Sequence, residues 1–133
     1  MQRTVKVWNF ITGDLIFSLT GSGPINLLLY LNEELIASAG QEKTITIWDL
    51  NTRKSKQNIT GHSQYVNSIV KLNSNLFASG SDDKIVLVWD FIGGLLKFNF
   101  SEHTGGIKTL ASVSSDDLLA SGSVDKTILV WKY

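Results

Sequence analysis

Apolar residues in this chain recur in short alternating runs, not in the three-and-four spacing of an amphipathic helix. Thr44-Ile45-Thr46-Ile47-Trp48 alternates β-branched residues with others, which favours a pleated, half-buried strand. The same reading predicts strands over 15–20, 25–31, 54–60, 65–72, 95–100 and 106–113. Turn clusters separate them. Asn32-Glu33-Glu34, Asn73-Ser74-Asn75 and Ser114-Ser115-Asp116-Asp117 precede one set of strands; Gln41-Glu42, Asp82-Asp83 and Val124-Asp125 follow it. No long stretch combines helical periodicity with caps, so almost no helix is expected.

The pattern repeats. Trp8, Trp48, Trp89 and Trp131 stand 40, 41 and 42 residues apart. Each closes a similar segment: Arg3-Thr4-Val5-Lys6-Val7-Trp8, Lys43-Thr44-Ile45-Thr46-Ile47-Trp48, Lys84-Ile85-Val86-Leu87-Val88-Trp89 and Lys126-Thr127-Ile128-Leu129-Val130-Trp131. Before the last three lies a second echo: Leu35-Ile36-Ala37-Ser38-Ala39-Gly40, Leu76-Phe77-Ala78-Ser79-Gly80-Ser81 and Leu119-Ala120-Ser121-Gly122-Ser123. Four short strands with turns fill a unit of about 40 residues, the period of a propeller blade. Trp48-Asp49 and Trp89-Asp90, with Gly61-His62, resemble the tryptophan–aspartate (WD) repeat of β-propellers. Trp8-Asn9 and Trp131-Lys132 keep only the tryptophan, and Glu102-His103 only the histidine. The resemblance runs along the whole chain. It implies an all-β fold of four-stranded antiparallel blades, about three of them in an incomplete ring. The expected units are a blade remnant over 1–20, blade one over about 25–60, blade two over about 65–100 and an incomplete blade three over about 106–132. Residues 1–8 and 15–20 read as a third and a fourth strand. The chain is therefore expected to be a piece of a longer propeller, or else to complete a ring with a second copy.

Composition narrows the classes. Of the 133 residues, 43% are hydrophobic and 18% charged, too apolar for a disordered chain. The longest apolar run, Leu27-Leu28-Leu29-Tyr30-Leu31, is far short of the ~20 residues of a spanning helix. Twelve Lys and Arg balance twelve Asp and Glu, so no positive excess attracts nucleic acid or anionic lipid. Without cysteine there is no disulfide, thiolate metal site or Cys nucleophile. Met1-Gln2-Arg3-Thr4 leads directly into a strand-like segment, with no signal peptide visible. An intracellular, cytoplasmic setting is expected, with no cofactor, no metal, no nucleic acid and no membrane.

Blade two holds His62, Ser79, Asp83 and Trp89; blade three holds His103, Ser121, Asp125 and Trp131. Ser, His and Asp are the trio of acyl transfer. A nucleophile has no reason to occur twice at one spacing, whereas a structural donor–acceptor chain does. The indole only donates, a hydroxyl and a neutral imidazole do both, and a carboxylate accepts. The resemblance implies the same network. Blade one keeps Ser38 and Trp48, but Glu42 stands where the aspartate would be and no histidine lies near Thr20-Gly21-Ser22-Gly23-Pro24. That loop is one residue shorter than Gly61–Val66, so blade one is expected to lack the network and to be the softest. Gln2 falls where the first aspartate would be.

Other motifs are weaker. Asp82-Asp83 and Asp116-Asp117 sit in turns where Asp is locally favoured, so a metal or acid–base pair is not expected. The sequons Asn58-Ile59-Thr60 and Asn99-Phe100-Ser101 fall in predicted strands and read as chance. Gly93-Gly94 reads as a turn. Gly105-Gly106 lacks the Lys-Ser/Thr of a phosphate loop, and Arg53-Lys54-Ser55-Lys56 reads as a solvated outer strand. The resemblance implies a non-enzymatic scaffold that docks a protein or peptide on its top face. The matching contact positions are Pro24, Asn26 and Gln41; Tyr65, Asn67 and Asp82; and Gly106, Lys108 and Val124. An accessory domain of a larger enzyme and a purely structural module are the alternative readings.

Overall fold

The computed structural model describes residues 3–113 and 116–133. Gln2 and the Ser114-Ser115 half of one expected turn lie outside the described residues. Every regular element among the described residues is a strand. In chain order these are β1 (Thr4–Trp8), β2 (Leu15–Thr20), β3 (Ile25–Tyr30), β4 (Leu35–Gly40), β5 (Thr44–Asp49), β6 (Lys54–Thr60), β7 (Val66–Lys71), β8 (Leu76–Ser81), β9 (Val86–Asp90), β10 (Leu95–Phe100), β11 (Ile107–Val113), β12 (Leu118–Ser123) and β13 (Ile128–Lys132). The predicted alternation places most of them to within a residue.

The strands form four antiparallel sheets in chain order: β1-β2, β3-β4-β5-β6, β7-β8-β9-β10 and β11-β12-β13. Register irregularities recur in step with the sequence repeat. The first strand of a sheet slips against the second at Ile25/Leu27, Val66/Ser68 and Ile107/Thr109. The third slips against the fourth at Ile47/Trp48, and β1 slips against β2 at Val7/Trp8. That shared slip, beside the tryptophan in both, marks β1 and β2 as counterparts of β5 and β6. Bulges sharpen the right-handed twist of the sheets they interrupt.

Each core cluster lies between successive sheets. Val5, Leu19 and Trp48 join β1-β2 to blade one. Leu31, Ile47 and Ile59 meet Phe77, Trp89 and Phe91 between blades one and two. Val86 and Val88 meet Ile107, Leu119 and Trp131 between blades two and three. A fully buried Leu, Ile or Val contributes roughly 1.5–3 kcal/mol, so the stacked faces hold the array together. The ring does not close. Ile128 and Val130 remain exposed on blade three, beside an apolar cleft of about 170 Å³ lined by Thr109, Leu110, Ala120 and Gly122.

Candidate functional site

The polar residues gather at one end of the sheets, where the loop entering each first strand meets the turn between second and third strands. In blade two, Ser79 on β8 is buried beside Trp89 on the neighbouring β9. Trp89 Nε1 donates to Ser79 Oγ at 2.8 Å. His62 Nε2 lies 2.7 Å from Ser79 Oγ, and His62 Nδ1 lies 2.7 Å from Asp83 Oδ2. With the indole donating, the hydroxyl donates onward to Nε2, and Nδ1–H donates to the carboxylate. Asp83 also accepts the amides of Ser63 and Ile85. Gly61 precedes the histidine because a Cβ there would meet the Trp89 ring at 2.5 Å.

Blade three repeats the arrangement. Trp131 donates to Ser121 at 2.8 Å, His103 Nε2 lies 2.8 Å from Ser121 Oγ, and His103 Nδ1 lies 2.7 Å from Asp125. Here the Thr127 hydroxyl joins, donating to Asp125 Oδ1 at 2.5 Å. That bond, with those from His103 and the amides of Thr127 and Thr104, holds the Asp125 carboxyl far below the usual carboxylate range. Burial pushes His62 below the ordinary imidazole value against the pull of Asp83, so His62 is read as a neutral link.

Sequence reasoning missed several members. Ser81 and Ser123 accept the amides of Asp83 and Asp125 and so shape both tight turns. Their recurrence two residues after Ser79 and Ser121 was the available signal. For Thr127 the signal was the threonine at the same place in two other repeats, Thr4 and Thr44, with Ile85 departing in blade two.

Blade one forms only the first link, Trp48 Nε1 to Ser38 Oγ at 2.7 Å. Between Ser38, Glu42 and the short loop lies a polar cavity of about 20 Å³, space for one water molecule. Glu42 reaches across it and accepts from Ser22 Oγ at 2.8 Å. The longer acid thus ties the shorter loop directly. Gly23 leaves room for it, since a Cβ there would displace the Glu42 carboxylate.

The positions expected to touch a partner lie at this same end. Tyr65 is 50% exposed and Val124 57%; Asn26 and Gln41 are also exposed, and Pro24 is half-buried. Asp82 is the hub. Its Oδ1 accepts from Asn67 Nδ2 at 2.7 Å and from Lys108 Nζ at 2.5 Å, while Asn67 also donates to the Ile107 carbonyl across the blade boundary. The bonds from Lys108 and Asn67 hold Asp82 below the usual carboxylate range. Gly106 is buried and presents no side chain; a Cβ there would meet Asp82 Oδ1 at 2.8 Å. Pro24, Asn26 and Gln41 lie on blade one, apart from this cluster.

A family model, WD domain, G-beta repeat, matches residues 53–90 and 94–132. The chain belongs to the WD-repeat family. Each matched unit runs from the outer strand of one sheet through the first three strands of the next, so a WD repeat straddles two blades and ties them covalently. A WD repeat-containing protein of Schizosaccharomyces pombe, itself uncharacterized, is 33% identical over 67 residues, 47% of this chain. The match spans 18% of that relative's length. Among the described residues of this WD-repeat chain, no group of His, Asp and Glu could hold a metal ion, and no helix is long and apolar enough to cross a membrane.

Proposed function

We propose that this WD-repeat chain is a non-enzymatic docking scaffold that receives a protein or peptide on the end of blades two and three bearing the polar loops. The observation that carries the reading is the cluster of exposed Tyr65 and Val124 around the cross-braced Asn67–Asp82–Lys108 set. An exposed aromatic held beside fixed polar groups is what binding hot spots are made of. The bracing lowers the ordering cost of association, since Asn67 and Lys108 are already held in one arrangement. Family membership supports a protein or peptide partner in place of nucleic acid or membrane, and the chain's balanced charge agrees. The Ser–His–Asp trio does not argue for hydrolysis. Ser79 is fully buried beneath the Trp89 indole that donates to it, so no substrate carbonyl reaches its hydroxyl. The test is selection of binders from a displayed peptide library on the full chain. Tyr65→Ala is expected to weaken selected binders at least tenfold, and Lys108→Ala severalfold, with the melting temperature unchanged. Binders indifferent to both substitutions would place docking elsewhere.

A further inference from the structure

In blades two and three the hydroxyl of the buried serine meets an imidazole, which passes the link on to an aspartate. In blade one the corresponding Ser38 is just as buried, at 4% exposed, and accepts from the Trp48 indole in the same way. Its own proton meets no acceptor among the described residues. The carboxylate opposite is half engaged. Glu42 Oε2 takes the Ser22 hydroxyl, while Oε1 meets no donor among the described residues. A buried donor and a partly buried acceptor thus face one small space.

That space is built from both sides. Ser38, Glu42 and Thr44 all line the polar cavity of about 20 Å³. Thr44 stands four residues before its tryptophan, as Thr127 does in blade three, where the hydroxyl bonds the aspartate and lies 3.2 Å from His103 Nδ1. The short loop is drawn down over the cavity. Gly40 stands where Ser81 and Ser123 stand, and a Cβ there would meet the Pro24 carbonyl oxygen at 2.3 Å. Such a volume admits one water molecule, and three polar partners are the usual number for a buried water.

We propose that the blade-one cavity is a binding site for a single held water molecule, which carries the link that an imidazole carries in blades two and three. The water accepts the Ser38 proton and donates to Glu42 Oε1 and Thr44 Oγ1. The direction of donation is then the same in all three blades: indole to serine, serine to bridge, bridge to carboxylate. The glutamate follows from the same geometry. An imidazole spans the gap between two nitrogens on opposite sides of its ring, whereas water spans it through one oxygen. The carboxylate must therefore come closer, and the additional methylene of Glu42 supplies the reach. A water-mediated bond of this kind is nearly as favourable in enthalpy as a direct one.

The test is water-selective NOE and ROE transfer to the tryptophan Nε1 protons of the isotope-labelled full chain. A cross-peak from water is expected at Trp48, with NOE and ROE of opposite sign as a held water gives, and none at Trp89 or Trp131. In Ser38→Ala the cross-peak is expected to persist, because the hydroxyl that could relay it by proton exchange is gone. In Glu42→Leu it is expected to lose most of its intensity, with unshifted Trp89 and Trp131 indole signals reporting that the remainder is folded. No cross-peak at Trp48 in the native chain would overturn the proposal, since Ser38 would then bond Glu42 directly or not at all. So would cross-peaks of equal intensity at Trp89 and Trp131, disappearance of the signal in Ser38→Ala, or an undiminished signal in Glu42→Leu.

Discussion

Ser79 shows how one hydroxyl can settle four buried polar groups. It accepts from Trp89 and donates to His62 Nε2, the imidazole donates its Nδ1–H to Asp83, and each of the four groups has a partner. Removing the last acceptor strands the histidine. Asp83→Ala is therefore expected to cost ~1–3 kcal/mol, and Asp125→Ala to act in the same direction. Glu42→Ala is expected to cost less, because the Ser22–Glu42 bond it removes is solvent-exposed. Urea melts of the three variants check the order. Acid sensitivity follows from His62. Burial lowers its pKa in the folded chain, so as pH falls below about 6.5 the unfolded chain takes up this proton first. Its contribution is full above that pH and declines below it. The melting temperature is expected to fall between pH 7.5 and 5.5, and to fall less in His62→Gln; a flat profile in the native chain would contradict the neutral assignment. Asp125 adds a second loss in stronger acid, below about 3.9, because its folded pKa is depressed.

Strands were legible wherever alternation and turn residues agreed. β2, β6 and β10 carry the predicted bounds, β3 and β11 differ by one residue at one end, and β7 by one residue at each end. The two complete network sets were legible because the repeat displays each group twice in register. What was not legible depended on contacts between blades. The Asn67 bond to the Ile107 carbonyl and the burial of Gly106 beneath Asp82 arise only once β7 and β11 stand side by side. In the sequence Glu42 only stands in the aspartate's place, and its reach to Ser22 appears only with the loop conformation known. The same inter-blade closeness makes Gly80 on β8 a strict position, since an added Cβ would meet Ile107 of β11 at 2.5 Å. Gly80→Ala is expected to destabilise by ~1–3 kcal/mol through overpacking. Gly93→Ala, with no neighbour nearer than 3.7 Å, should stay within ~0.5 kcal/mol. Thermal melts showing the two to be equal would mean that blades two and three separate easily.

Across the whole molecule the sheets form an open series in which each contacts its sequence neighbours. Stability in such an array is close to a sum of unit and interface contributions, and local opening should follow the quality of each unit. Blade two has a complete polar chain and a blade packed on either face. Blade three has the chain and one neighbouring blade. Blade one has neighbours on both faces but only the Trp48–Ser38 link, and β1-β2 has no such link at Trp8. Polar closure by histidine is the central claim, and the four indole protons report it individually. The measurement is native-state hydrogen exchange of the tryptophan Nε1 protons in the full chain, followed by nitrogen–proton NMR. The account predicts Trp89 slowest, Trp48 clearly faster despite similar burial, and Trp8 fastest. Exchange at Trp48 as slow as at Trp89 would show that burial alone protects the indole and that the histidine–aspartate link adds nothing.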